Sequence, residues 1–366
     1  MIVFLRPRAP FSKGPPRSDT LFGAIAWAVR LLFGEDELIK LLEQFDEAFE
    51  LQKPEPFLIS SLFPFVESRT GRTLFLPRPL LGSDFSPEID NQQSYRLYRK
   101  FLGTNWVSLS IFDEIVKGKS SELDLWKSLS TGDQRAYRLH AGALMTGEDF
   151  DRTRALNSFM ITGESVRFAV NRLSLPKVDR GGEIYYRKFT ATREPGKIQL
   201  KTGFFLLLRV NDPLNLGLEE KLRAALRFLG DKGFGGSTST GRGHNEVEFE
   251  DKEIESSDSG GTHLVCFSLL HPSAADRRHL AEHKEQVFAR LERRKGFIES
   301  AYAPETERVW KPTLVMLAEG ATFPRDGERR LYGSLFKEQI IRPGLNGHLR
   351  INGLGYTVPI NKKDEG

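Results

Sequence analysis

The sequence predicts an α+β fold built from two related modules, and three observations lead to this prediction. Segment 216–230 has apolar residues at helical spacing, and a glycine-rich loop and an alternating strand follow it. The last part of the chain, 342–360, again joins a glycine-rich, basic segment to a short strand, "YTVPI". Residues 250–261 are acidic, small and polar, which is typical of a domain boundary. We therefore expect two ferredoxin-like domains, at 1–250 and 262–366.

The first module is predicted to open with the strand "MIVFLRPRAPF", followed by helices through Phe49. Ser18 and Asp19 are suitable N-cap residues for the first helix, "TLFGAIAWAVRLLFG". Two strand-like stretches come next, at 56–66 and 73–81. Residues from about 82 to 165 are polar and mostly helical in pattern, so we interpret them as an insertion that enlarges this module.

Further strands and one long helix complete the predicted elements. Residues 181–210 are typical of a strand pair, with Glu194–Lys197 as its turn. In the second module, 262–272 and 312–323 are strand-like. Segment 275–297 is basic and has apolar residues at helical spacing, which predicts a long amphipathic helix.

Composition places the chain among soluble globular proteins. It has 366 residues, of which 39% are hydrophobic and 28% charged, with a net charge of +4. The only cysteine, Cys266, is flanked by apolar residues, so we expect it to be buried, with neither a disulfide nor a cysteine metal cluster. We find no apolar run long enough to span a membrane, and the opening residues are too basic for a signal peptide. We expect a cytoplasmic protein.

The loop "GDKGFGGSTSTGRG", residues 230–243, is the most distinctive stretch. It lies between a helix and a strand, the reverse of the order that dinucleotide-binding loops require. Arg242 and Gly243 stand where a phosphate-binding P-loop needs lysine and a hydroxyl residue, so nucleotide hydrolysis is not indicated. Glycines allow a ligand to approach the backbone closely, and hydroxyls and arginine are donors suited to phosphate oxygens. A polyanion-binding loop is one interpretation, and a flexible connection is the alternative.

Four motifs resemble the RAMP superfamily of CRISPR proteins. They are "SDTLFGAIAWA" at 18–28, "NRLSLPKVDRGGEIYYRK" at 171–188, "GDKGFGGSTSTGRGHNEV" at 230–247 and "KPTLVMLAEGATF" at 311–323. The glycine loop is the hallmark of the superfamily. The other three motifs resemble the subunit of type III-A effector complexes that caps the 5′ end of the CRISPR RNA.

This resemblance implies two RRM-like RAMP domains and a subunit that is not catalytic. Such a subunit holds the repeat-derived 5′ handle of the guide RNA in antiviral defence. It docks the large polymerase/cyclase-like subunit and the first backbone RAMP subunit. The implied partners are therefore CRISPR RNA and these proteins, with no membrane, cofactor or metal.

The candidate RNA-binding residues come from the resemblance and from side-chain chemistry. The resemblance places the glycine loop along the RNA channel, with Asn171 and Arg172 beside it. Phe234, Tyr185 and Tyr186 could stack on splayed bases, although each could equally pack in the core or on a sheet. The full set is Lys13, Arg17, Asn171, Arg172, Tyr185, Gly233, Phe234, Gly235, Gly236, Ser237, Thr238, Ser239, Thr240, Gly241, Arg242, Gly243 and His244.

Two other functions remain open at this point. Some RAMP proteins cleave precursor CRISPR RNA without metal, and His244 beside the loop is the best acid–base candidate here, unless it simply packs at the start of the strand. The chain could also be the equivalent type III-B capping subunit. A further pattern, His279-Leu-Ala-Glu-His283, matches a zinc-protease motif, but no third ligand can be identified from the sequence.

Overall fold

The computed structural model is mixed α/β. It describes residues 1–12, 14–50, 53–82, 91–130, 137–169, 183–192, 200–212, 217–254, 261–297, 310–327, 329–342 and 345–362. The helices in these ranges are α1 Ser18–Phe33, α2 Glu35–Glu50, α3 Gln92–Leu102, α4 Leu109–Val116, α5 Glu122–Ser130, α6 Gly147–Thr153, α7 Leu218–Lys232 and α8 Ala274–Glu282. The strands of the part up to residue 254 are β1 Ile2–Pro7, β2 Phe57–Ile59, β3 Phe63–Ser68, β4 Gly71–Pro77, β5 Trp106–Ser108, β6 Tyr137–His140, β7 Ala143–Thr146, β8 Met160–Ala169, β9 Glu183–Thr192, β10 Lys201–Val210 and β11 Asn245–Glu250. The remaining strands are β12 His263–Cys266, β13 Leu291–Arg294, β14 Leu314–Leu317, β15 Thr322–Pro324, β16 Gly333–Arg342, β17 Leu345–Leu354 and β18 Thr357–Ile360.

A large sheet forms the framework of the first part of the chain. Its strands lie in the order β11-β1-β10-β3-β4-β5-β7-β6, and β2 pairs with β10 beside β3. Strand β1 pairs antiparallel with both β10 and β11, so that Phe4 lies opposite Phe205 and Glu248. Strand β10 contains the continuous apolar run Phe204–Leu208, and all five side chains are buried. Such a run is expected for a central strand that is covered on both faces.

Helix α7 confirms its predicted apolar stripe but extends beyond the predicted end. Leu222, Leu226 and Leu229 are buried against the core. The helical pattern in the sequence stops at Gly230, whereas the helix continues to Lys232 and Gly233 follows it with φ +82°. A Cβ at Gly230 would lie 2.6 Å from a Val247 methyl carbon, so this glycine permits close packing of α7 on β11.

The insertion contains helices α3 to α6, in agreement with its helical pattern. Strands β5, β7 and β6 extend the large sheet beyond β4. The prediction that Ser18 or Asp19 is the N-cap of α1 is wrong. The Ser18 side chain does not cap the helix, because Arg17 occupies the N-cap position and the Ser18 hydroxyl accepts from the Leu269 N–H instead.

The predicted pairing within 181–210 is wrong, although both strands exist. Strand β9 pairs with β8, placing Tyr186 opposite Val166, and β10 lies in the centre of the large sheet. Residues 193–199, including the predicted turn, lie outside the described residues. The apolar β10 is buried between β1 and β3, while the polar β9 pairs with another polar strand. Burial decides the partners here more strongly than closeness in sequence.

The prediction of one long helix over 275–297 is also wrong. Helix α8 begins with a capping box formed by Ser273 and Asp276 and ends at Glu282. The chain then turns back into β13, where the Arg294 guanidinium donates to the Asp19 carboxylate over 2.9 Å. Ion pairing and strand pairing with other parts of the fold replace the final turns of the expected helix.

The glycine-rich segment at 342–355 is largely a strand rather than a loop. Residues 345–354 form β17 and pair with β16, while 343 and 344 lie outside the described residues. Gly353 is needed for close approach, because a Cβ there would lie 2.3 Å from the His271 Cβ. The strand predicted from "YTVPI" is confirmed as β18, which pairs with β12.

One hydrophobic cluster connects the two predicted modules. It includes Phe63 and Phe112 from the first module and Phe267 and Tyr356 from the second. The Phe267 ring lies 5.8 Å from the Phe63 ring and 5.2 Å from the Phe112 ring. Cys266 is buried, as expected, and burial raises the pKa of its thiol to about 12. None of the described helices is both long and apolar enough to cross a membrane.

Candidate nucleic-acid interface

The glycine loop has a buried inner layer and an exposed outer layer. Helix α7 and strand β11 hold its two ends next to β1 at the edge of the large sheet. A single 3₁₀ turn, Thr238–Thr240, forms the tip. The inner layer, which is buried, consists of Gly233, Phe234, Arg242 and Gly243. The outer layer, which is exposed, consists of Gly236, Ser239, Thr240 and Gly241, and Gly235, Ser237 and Thr238 are half-buried between the layers.

Two glycines show how the layers differ. Gly241 and Gly243 both have φ +75°, in the left-handed region that favours glycine. A Cβ at Gly243 would lie 2.0 Å from the Phe234 carbonyl oxygen, whereas a Cβ at Gly241 would meet nothing within 4 Å. Gly243 therefore allows the two ends of the loop to touch, and Gly241 leaves open space in front of the backbone.

Phe234 anchors the loop in the core instead of presenting a stacking surface. Its side chain is only 5% exposed, and its ring meets the Phe11 ring edge-on at 5.8 Å. Phe11 in turn hydrogen-bonds Thr190 on β9 through the backbone. The expectation that Phe234 stacks on an RNA base is therefore wrong, because neither face of a ring buried in this way is accessible.

Arg242 is also a structural residue rather than a surface phosphate ligand. It is 3% exposed, and its guanidinium donates to the Ser165 hydroxyl over 2.7 Å and to the Lys188 carbonyl over 3.2 Å. Burial lowers its pKa, as do the positive charges of Arg167 and Arg187. Arg242 therefore ties the loop to the β8–β9 pair, and it does so beside two other cations.

The β8–β9 pair supplies the exposed charge at this edge. Arg187 is exposed and donates to the Ser237 hydroxyl over 2.9 Å, which places its guanidinium beside the loop tip. The ladder places Ser165 opposite Arg187, so the strand alternation turns these residues and Arg167 to one face. Tyr186 points to the other face and is 65% exposed. Arg167 and Arg187 are not among the residues predicted from the sequence, although cations that alternate along strand-like segments indicate such a face.

The remaining predicted contacts divide into two groups. Arg17 is not available to a phosphate, because its guanidinium pairs with Glu319 and with Glu292, and the second distance is 3.2 Å. Lys13, Asn171 and Arg172 lie outside the described residues, as does the side chain of Tyr185. Arg17 is therefore corrected to a structural ion pair, and the second group remains a prediction.

Comparisons with known proteins agree with the resemblance found in the sequence. A curated protein described as CRISPR system Cms protein Csm4, from Thermococcus onnurineus (strain NA1), is 26% identical over 326 residues, or 88% of this chain and 86% of that protein. The chain is therefore Csm4-like, in the sense that its sequence is similar to this protein along most of its length. No protein-family model matches it.

Solved structures share the fold of this Csm4-like chain. A chain of the Csm3-Csm4 subcomplex from a type III-A interference complex superposes with a TM-score of 0.63 and 16% identity, over 98% of this chain and 99% of the other. A chain of a Csm1-Csm4 cassette in complex with pppApA gives a TM-score of 0.54 and 20% identity, over 100% and 98%. The architecture is therefore the same along nearly the whole length.

Three histidines were candidates for catalysis or zinc binding, and their described contacts are mainly with backbone carbonyl and N–H groups. The His244 carbonyl accepts from the Arg8 and Ala9 N–H groups, which fixes the start of β11, and no described residue hydrogen-bonds its imidazole. The imidazole of His279 lies 2.9 Å from the Pro324 carbonyl, and that of His283 lies 3.0 Å from the His279 carbonyl. The described residues contain no cluster of three metal-binding side chains. The zinc-protease pattern therefore has no metal site in the described part of the chain.

A cavity in the described part of the Csm4-like chain lies away from the glycine loop. It has a volume of about 250 Å³ and is lined by β1, β4, α4 and α6. Arg72 and Arg152 lie in its wall together with Asp113 and Asp149. Since the charges are of both signs, this cavity does not favour a polyanion as the glycine-loop edge does.

Proposed function

We propose that the chain is a non-catalytic guide-RNA-binding subunit of a type III-A CRISPR interference complex, acting in antiviral defence. It holds the repeat-derived 5′ handle of the CRISPR RNA at the glycine-loop edge. One observation carries this proposal: in a Csm4-like chain, an exposed glycine and hydroxyl tip lies beside a group of three arginines. An effector subunit of this kind would work in the cytoplasm, with no metal or cofactor of its own.

The outer layer suits the sugar-phosphate backbone of RNA. Gly241 carries no side chain and its Cβ position faces open space, so a phosphate can approach the main chain closely there. The hydroxyls of Ser239 and Thr240 are exposed donors, and Arg187 adds a guanidinium at the same tip. Contacts of this kind position a strand without reading its sequence. The loop is therefore proposed as the backbone grip.

Base recognition is proposed to come from the β8–β9 pair. Tyr186 is largely exposed and lies opposite Val166, which is 50% exposed. An aromatic side chain on a strand is a suitable platform for an unpaired base, and stacking contributes about 1–3 kcal/mol per base. Lys188 is exposed on the same face of the strand as Tyr186, so a phosphate next to the stacked base would also have a cation nearby.

The proposed protein partners are the large polymerase/cyclase-like subunit and the first backbone RAMP subunit. The structures that share this fold belong to assemblies named Csm1-Csm4 and Csm3-Csm4. We assign the same two docking roles to this chain. The type III-B equivalent remains a second assignment, but no observation favours it.

We also propose that both modules are ferredoxin-like, with the RRM-like arrangement. In the first module the antiparallel neighbours β11-β1-β10-β3 are combined with α1 after β1 and α7 before β11. This arrangement supports a β-α-β-β-α-β module. In the second module, β12 lies between β15 and β18 in an antiparallel sheet, and α8 follows β12. The boundary is proposed at 250–262, of which 255–260 lie outside the described residues.

The proposal is tested by the RNA and proteins that accompany the chain. Tagged full-length protein is purified from its native cells, and the co-purifying RNA is sequenced from its 5′ end. We expect a common repeat-derived 5′ sequence together with the two partner proteins. Bound RNA without a shared 5′ end would contradict the capping role.

The nuclease alternative is tested with purified protein and repeat-containing RNA, with and without divalent metal. We expect no specific cleavage, because the described residues place no hydrogen-bonded acid–base partner at the His244 imidazole. Cleavage that disappears in His244→Ala would overturn the non-catalytic assignment.

A further inference from the structure

A second exposed surface lies on strands β13 and β14, far along the chain from the glycine loop. We call residues 291–297 and 310–317 the outer ribbon. The strand pairing continues beyond β13, because Phe297 bridges Trp310 and the Lys311 N–H donates to the Gly296 carbonyl over 2.8 Å. Exposure alternates along 291–297: Leu291, Arg293, Lys295 and Phe297 are exposed, and the residues between them are half-buried. This period of two gives the ribbon an inward face and an outward face.

The inward face is fixed to the body of the protein by ion pairs. Glu292 accepts from Arg17 over 3.2 Å, and Arg294 donates to the Asp19 carboxylate through two 2.9 Å hydrogen bonds. Both partners flank the beginning of α1. The ribbon is therefore held in a defined position, with its outward face free of any role in these ion pairs.

The outward face exposes unusually large apolar side chains. Leu291 is 70% exposed, Trp310 52%, Val315 51% and Phe297 40%. Single exposed apolar residues are common, but four on one short ribbon form a patch typical of an interaction site. In the described part of the chain, β13 pairs only with β14, so its outer edge can accept a further strand.

The charges on the outward face indicate an acidic partner. Arg293 and Lys295 are exposed there, between the apolar Leu291 and Phe297. The acidic residue of this strand, Glu292, faces inward and is paired with Arg17. The outward face is therefore positive in the middle and apolar at both ends, over about 20 Å for six residues of extended chain.

The aromatic residues of the ribbon favour protein over RNA as this partner. The Trp310 ring is already in contact with the Phe297 ring, at a centroid distance of 3.6 Å, and with the Lys295 ammonium at 4.6 Å. The most exposed residue, Leu291, and Val315, which lies opposite Arg293, are aliphatic and offer no aromatic face for a base. These contacts differ from those of Tyr186, whose largely exposed ring we propose as a stacking platform.

We infer that the outer ribbon docks an extended protein segment that is acidic in its centre and apolar at both ends, added along β13. The inference rests on the proposed function only for the source of this segment, which would be a companion protein of the same effector complex. A few buried apolar anchors commonly dominate the affinity of such interfaces.

The experiment uses the full-length chain and its purified companion proteins. The double variant Leu291→Ser with Val315→Ser should weaken binding of one companion about tenfold or more. Tyr95→Ser is the matched control, because Tyr95 is 51% exposed on α3 and should leave this affinity unchanged. Unchanged affinity of the double variant for every companion would overturn the inference. If the double variant does not fold, Arg293→Glu with Lys295→Glu provides the same test through charge reversal.

Photo-crosslinking then identifies what lies on the ribbon. A benzoylphenylalanine placed at position 291 in the assembled complex should crosslink to an acidic peptide of the companion protein. A crosslink to RNA, or none in an assembled complex, would overturn the inference. Handle-RNA affinity should be the same for the double variant and the unmodified chain. If the chain binds no RNA but the crosslink forms, the proposed RNA function fails while this docking surface stands.

Discussion

The inner and outer layers of the glycine loop both contain glycines, but the two layers have different roles. Phe234, Arg242 and Gly243 of the inner layer are buried and hold α7, β11 and the β8–β9 pair together. Gly241 of the outer layer is exposed, and a Cβ there would meet nothing within 4 Å. Glycine and arginine therefore stabilise the loop at its base and leave its tip available for a ligand. Variants in the two layers should separate stability from RNA binding.

The largest difference in the free energy of unfolding is expected when the same glycine-to-alanine substitution is made in the two layers, as Gly243→Ala and as Gly241→Ala. Both place a side chain at φ +75°, which costs about 1–2 kcal/mol. At Gly243 the new Cβ also clashes with the Phe234 carbonyl, so we expect a total loss of about 4 kcal/mol or a failure to fold. Denaturant unfolding of both variants measures the difference. Equal stabilities would show that the inner layer is not packed as described.

Phe234→Ala should destabilise the protein by about 3 kcal/mol, because it leaves a cavity beside Phe11. Tyr186→Ala, at a largely exposed position, should change stability by less than about 0.5 kcal/mol. Urea unfolding monitored by circular dichroism compares the two variants. A stable Phe234→Ala protein that has lost its RNA affinity would restore the stacking role that we reject for Phe234.

Much of the fold could be predicted from the sequence, because hydrophobic periodicity reports burial directly. The stripe of α7 and the apolar run of β10 both correspond to real elements. The partner of β9 and the end of α8 could not be predicted, since both depend on contacts between residues distant in sequence, such as Arg294 with Asp19. The glycines at 342–355 predicted a loop instead of a strand for a related reason. Gly353 allows close approach between backbones, which a sequence does not distinguish from a loop.

The candidate site could be located from sequence, but its working residues could not be chosen. The motif placed the loop between α7 and β11, as found. It did not reveal that Arg242 faces Ser165 and Lys188, because these residues are more than fifty positions away. For the same reason, Arg187 became a candidate only when its hydrogen bond to Ser237 was known.

Two substitutions are expected to weaken RNA binding, Tyr186→Ala and Arg187→Ala, and Tyr186→Ala should lower the affinity more. Loss of one stacked base corresponds to about 1–3 kcal/mol, or roughly 5- to 150-fold in affinity. The preference for RNA with the handle over RNA without it should fall, since stacking acts on the splayed bases. Fluorescence anisotropy with both RNAs measures this. Tyr95→Ala, at another exposed tyrosine, serves as the control and should bind like the unmodified chain.

The smallest expected effect provides the most direct test that the loop tip and the β8–β9 pair grip the RNA backbone. The measurement is handle-RNA affinity against salt concentration for Arg187→Ala and for Arg278→Ala, an exposed arginine on α8. Removing one phosphate contact should lower the affinity several-fold at low salt and reduce the salt slope by about 0.7. We predict this change for Arg187→Ala, equally with every RNA sequence, and no change for Arg278→Ala. Identical affinities and slopes for both folded variants would contradict the account, since the tip would then bear no phosphate.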